Sequence, residues 1–117
     1  MRERTVIIAS LALFAWLSLD KTDNDPTRFL AYLIAALQQV DSKIGEATRA
    51  MLQTGQPPPL EIVLTTLINE IAAVSVPFTL ALDDYHFIET IPIHQQLGFL
   101  VEHQPPQMRV MLVTRED

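Results

Sequence analysis

Two aspartates stand side by side at Asp83 and Asp84, directly after the apolar run Phe78 to Leu82. A carboxylate that leaves a core must meet water, a cation or a hydrogen-bond donor, and two adjacent ones repel. Two readings follow. One carboxylate can cap the helix or turn that comes next, an ordinary way to start a loop. Alternatively the pair lies at the mouth of an α/β sheet, where ligands bind beyond the carboxyl ends of the strands. Asp20 and Arg115 occupy comparable places, each just past an apolar run, ending at Leu19 and near Val113.

Other chemistries find less support. His86, His94 and His103 lack the spacing of three to five that zinc ligands favour, and read as surface or packing residues. Tyr85 and His86 are expected to pack under the loop rather than act as base and nucleophile. Ser18, Ser42 and Ser75 have no G-x-S-x-G setting, which argues against a hydrolase triad. The acidic stretch 20–25 lacks the glycine and terminal glutamate of an EF-hand and reads as a solvated loop. Cysteine is absent, so thiolate chemistry, disulfides and cysteine-held zinc are excluded, and a reducing, cytoplasmic setting fits. The net charge of −6, with eight scattered basic residues, speaks against direct nucleic-acid binding.

The elements that would position these residues follow from pattern. With 117 residues and 49% apolar content, one domain with a modest core is expected. "FAWLSL", Phe14 to Leu19, reads as a buried strand. Asp25 followed by Pro26 starts a helix, with Phe29, Leu30, Leu33, Ile34 and Leu37 on one face. The pattern continues weakly through Ile44, Ala47, Met51 and Leu52, interrupted at Gly45. "TGQPPP" breaks the chain. A second helix carries Leu60, Val63, Leu64, Leu67, Ile68, Ile71 and Val74, and must stop before Pro77. Phe78 to Leu82 is a strand, and its unbroken apolar character implies a parallel sheet covered on both faces. A third helix runs from about Ile91 to His103 with Ile93, Leu97, Leu100 and Val101 inward. Met108 to Val113 forms the last strand. The alternation implies right-handed crossovers and a parallel sheet.

Near the N-terminus, Val6 to Leu17 is almost wholly apolar and follows Arg2 and Arg4. It is too short to cross a bilayer, which takes about 20 residues. It lacks a convincing cleavage site, so a buried helix or strand is favoured over a leader.

Three stretches together resemble one known family. "AWLSLDKTDNDPTRFLAYLIAALQ" (Ala15 to Gln38), "FTLALDDYHFI" (Phe78 to Ile88) and "VMLVTRED" (Val110 to Asp117) are similar to the nucleotide-binding domain of the MalT-like signal-transduction NTPases. These are large ATP-dependent regulators of NB-ARC/NACHT type with LuxR-type DNA-binding tails. The second stretch resembles their Walker B strand and the third their sensor strand. The likeness implies an α/β fold, a partial P-loop NTPase core of three or four parallel strands flanked by helices. It implies one incomplete domain over 1–117, with 14–117 family-like and 1–13 atypical. It further implies that Asp83 helps hold the magnesium of bound ATP through water and that Asp84 sits near the attacking water. Thr114 and Arg115 would lie on the phosphate side.

The sequence departs from that family in one large respect. It contains no G-x-x-x-x-G-K-[ST]; its glycines are Gly45, Gly55 and Gly98. Such a loop supplies backbone N–H groups and a lysine to the phosphates. At best, Arg4 and Thr5 stand where the loop's lysine and hydroxyl would be. The expectation is a scaffold without its phosphate clamp, which neither hydrolyses ATP alone nor holds ATP and magnesium tightly. Asp84 would be an inherited and inactive catalytic residue. Without the clamp, an exposed sheet edge or the segment Val6 to Leu13 is expected to recruit a second copy. An interaction module and an enzyme of unfamiliar type are the alternatives. No membrane association is expected.

Overall fold

The structure is a computed structural model, and it describes residues 13–113. Three strands, β1 (Leu13–Ser18), β2 (Phe78–Asp83) and β3 (Met108–Val113), pair in parallel in the order β1-β2-β3. Four helices join them: α1 (Pro26–Leu37), α2 (Glu46–Leu52) and α3 (Leu60–Ala72) between the first two strands, and α4 (Ile91–Glu102) between the last two. The fold is α/β with a parallel sheet, as the alternation of patterns required.

Local chemistry accounts for the helix boundaries. Asp25 caps α1 by accepting from Thr27 N–H and Arg28 N–H, with Pro26 at the first position. The weak pattern around Gly45 resolves into a separate helix, α2. Gly45 adopts φ 91, and a Cβ there would stand 2.3 Å from Ile34 Cγ2, so the chain turns hard against α1. No side chain of its own turn caps α2. Instead Glu70 of α3 accepts from Ala47 N–H and from the buried Thr48 hydroxyl.

The core lies on one face of the sheet. Ala15 and Leu17, Phe78, Leu80 and Leu82, and Met108 alternate onto the same side and join Phe29, Leu33, Leu67, Ile71, Ile93 and Leu100 from the helices. The other side carries Phe14, Trp16 and Ser18, Thr79, Ala81 and Asp83, and Arg109, Met111 and Val113. On this second side Ala81 is fully buried and Asp83 nearly so, while the described crossover helices lie on the first. The cause is topological: strands laid down in one direction, with crossovers of one hand, put every crossover helix on one side. Val101, expected inward, is 44% exposed, and Gln96 takes a buried place on α4 instead. Its Oε1 has no hydrogen-bond partner among the described residues. No helix among the described residues is long and apolar enough to cross a membrane.

Candidate functional site at the strand ends

Register brings the three strand ends level. Ser18 pairs with Asp83, and Asp83 pairs with Val113. The backbone ladder continues one step beyond: Leu19 N–H donates to the Asp83 carbonyl at 3.0 Å, and Asp84 N–H donates to the Val113 carbonyl at 2.8 Å. Asp83 is the last residue of β2, on the side of the sheet away from the core, beside Ser18 and Val113. It is 7% exposed and Asp84 8%; both are engaged in interactions within the protein.

Asp84 has a left-handed backbone, φ 61 and ψ 38, and is the described non-glycine residue with positive φ. Aspartate tolerates this region better than most residues, at some cost. It precedes a 3₁₀ turn, Tyr85–Phe87, which its side chain does not cap. The helix-cap reading of the acidic pair thus fails for Asp84, and α4 begins later, at Ile91 after Thr90.

Asp20 has a defined structural task. Its carboxylate accepts from Thr22 N–H at 2.8 Å and from the Thr22 hydroxyl at 2.6 Å, while Asp23 accepts from Asp20 N–H at 2.8 Å. This reciprocal cap closes the turn Lys21–Asp23. The Thr22 hydroxyl, then the Thr22 N–H, hold the Asp20 carboxyl below its ordinary value of 3.8. Asp23, not Asp20, is the buried acid of this loop.

Tyr85 packs against the core, as expected, but His86 is exposed, with its ring against that of Phe87, 4.4 Å between centroids. The Tyr85 hydroxyl lies 2.6 Å from His94 Nδ1, with the rings edge to face. Burial raises the Tyr85 pKa above 10.0, so the phenol keeps its proton while it shares a hydrogen bond with Nδ1. His94 is therefore tied into this corner rather than being a free surface residue.

Asn24 was not singled out by sequence reasoning. It holds the loop after β1 to the loop after β2: its Nδ2 donates to the carbonyls of Lys21 and Phe87, and its Oδ1 accepts from Glu89 N–H and Thr90 N–H. Its partners in the loop after β2 lie 63 to 66 residues away, so no local pattern announces them. A groove of about 320 Å³ opens at the outer edge of β1, lined by Trp16, Ser18, Asp23, Tyr32 and Gln39 among others; it does not include Asp83 or Asp84. Among the described residues no three acids or histidines gather as a metal cage. Thr114, Arg115, Arg4 and Thr5 lie outside the described residues.

No family model matches the chain. Curated relatives do. It is 39% identical over 100 residues, 86% of its length, to the HTH-type transcriptional regulator MalT of Klebsiella pneumoniae subsp. pneumoniae. The MalT regulators of Serratia proteamaculans and Yersinia enterocolitica are 34% and 33% identical over 116 residues, 96% of this chain. The chain is homologous to one segment of MalT. It spans only 11% to 13% of the length of these MalT regulators, so the likeness concerns a single stretch of a much longer protein.

Proposed function

We propose that this MalT-like chain supplies the carboxylate half of an ATP-binding switch in a LuxR-type transcriptional regulator of the cytoplasm. Asp83 faces the magnesium of the nucleotide through water, and Asp84 faces the water nearest the γ-phosphate. Thr114 and Arg115 complete the phosphate side. In a regulator built this way, nucleotide binding shifts the protein between resting and assembled states.

One observation carries the reading: two adjacent, buried aspartates sit at the level ends of parallel strands, and Asp84 is held there in a left-handed backbone rather than used as a helix cap. A strained, buried acid at a sheet mouth is where ligand chemistry is commonly found.

The chain alone lacks the glycine-rich loop that provides most phosphate-binding energy. It therefore does not hydrolyse ATP by itself and binds ATP with magnesium more weakly than about 100 μM, roughly −5.5 kcal/mol. Calorimetric titration tests both halves of the reading. The chain alone should give no heat at that level. The chain joined to the region that precedes the matched segment in the MalT relatives should bind ATP, and Asp83→Asn should remove that binding. Tight binding by the chain alone, or none by the extended protein, overturns the reading.

A second reading is favoured by the outer strand of the described sheet. On β3, Met111 is 39% and Leu112 54% exposed, on opposite sides of the strand. An apolar edge strand invites pairing with another chain. On this reading the domain associates with a second copy through β3 or through Val6 to Leu13, and has no nucleotide role. Light scattering at micromolar concentration decides: a monomer that Met111→Lys does not change removes the oligomer reading.

A further inference from the structure

Asn24 is bonded more densely than its place in a polar loop suggests. Its Nδ2 donates to Lys21 O at 3.0 Å and to Phe87 O at 3.1 Å. Its Oδ1 accepts from Glu89 N–H at 2.7 Å, Thr90 N–H at 3.1 Å and the Thr90 hydroxyl at 2.9 Å. The same hydroxyl also lies 2.9 Å from the Asn24 carbonyl. Only a primary amide offers two donors and an acceptor in one plane, which this set of partners requires.

Thr90 stands at the start of α4, yet its side chain does not cap that helix. Its hydroxyl points to Asn24 instead, while its carbonyl accepts from Ile93 N–H and His94 N–H in the first turn. His94 in turn shares a hydrogen bond with Tyr85, the residue after Asp84. The segment from Asp84 to Thr90 is thus pinned at one end by His94 and at the other by Asn24. Asn24 belongs to the loop that carries Asp20 and Asp23.

We propose that Asn24 is a positioning residue: it fixes the loop after β1 against the segment after Asp84, so that the two acidic loops and the start of α4 move as one body. The inference rests on the strand-end reading for its purpose, since it would carry a change at Asp84 into α4. Its test needs no nucleotide. A failed ATP titration would therefore be told apart from a failed latch.

Native-state amide exchange on the chain reads the latch. In Asn24→Ala, protection should fall by about tenfold or more at Glu89, Thr90, Ile93 and His94, while Leu80 and Ala81 in β2 stay as they were. The His94 side-chain nitrogen shifts should also move, because Nδ1 loses its fixed hydrogen-bond partner although Asn24 never touches that ring. Asn24→Asp keeps the acceptor and loses the donors, so Glu89 and Thr90 should stay protected to within about threefold. Thr90→Val gives a second route should Asn24→Ala fold poorly, with the same local loss at Ile93 and His94. Equal loss across β2, or unchanged protection at Thr90 and His94, overturns the proposal.

Discussion

Asp84 N–H donates to the Val113 carbonyl at 2.8 Å, tying the first residue past β2 to the last residue of β3. On the other side Leu19 N–H donates to the Asp83 carbonyl. The backbone of the acidic pair is thereby held from both neighbouring strands, so its position does not wait for a ligand. That arrangement makes the strand-end corner rigid in its main chain and leaves the chemistry to the side chains.

The left-handed backbone of Asp84 gives a ranking unlike that of ordinary strand or helix positions. Asp84→Gly, Asp84→Ala and Asp84→Val all remove the carboxylate, so differences among them report the backbone alone. Glycine should be the most stable of the three, alanine about 1 kcal/mol below it, and valine lower again. Urea unfolding of the three variants checks the order; valine equal to glycine would refute it.

Gly45→Ala should destabilise the chain by about 2–4 kcal/mol, because it adds both a left-handed penalty and an overpacked methyl. The contact is with Ile34 Cγ2 at 2.3 Å. Adding Ile34→Leu, which moves the branch away from Cβ, should recover part of that loss but not the backbone share. Strict additivity in the double variant would count against the stated cause.

The Asp20 carboxyl titrates below its ordinary value because Thr22 hydrogen-bonds the ionised form. The sign follows from linkage. The folded state binds its proton less readily than the unfolded state, so the stabilisation is complete above 3.8 and is lost as pH falls through the lower folded value. Carbon-13 titration of the side-chain carboxyl should show the depressed midpoint, and Thr22→Val should raise it towards 3.8.

Leu80 is fully buried in the central strand, and Leu112 is 54% exposed on β3. Leu80→Ala should cost about 2–5 kcal/mol, and Leu112→Ala less than about 0.5 in a monomer. Thermal unfolding at two protein concentrations separates the cases. A concentration-dependent loss at Leu112 would favour the association reading.

Much of this architecture was legible in residue order. Asp25-Pro26 marked the start of α1, and the apolar runs marked β2 and β3 to within a residue; α3 stops at Ala72, well short of Pro77 and before Val74, which the helical spacing had put on its stripe. β1 begins and ends one residue earlier than its pattern suggested, at Leu13 and Ser18, because partners across the sheet and not composition set its ends. The α2 helix was blurred for a related reason: its first turn is satisfied by Glu70, more than 20 residues on, so no local cap signals it. The acids at 83 and 84 were visible as a pair, but the left-handed turn at Asp84 is not, since aspartate accepts either backbone. Asn24 was hidden entirely by distance along the chain. Val101 was misplaced because helical spacing alone could not tell the inner stripe, with Gln96 on it, from its neighbour.

The one-way winding of the strands has a further consequence. It gives the described sheet a finished back and a working front, like a glazed tile, and Trp16, Ala81, Met111 and Asp83 are all on the front. Water reaches that front unevenly, since Ala81 is fully buried and Asp83 nearly so, while Met111 is 39% exposed. A neighbour approaching from the front therefore meets β3 first and the acid last.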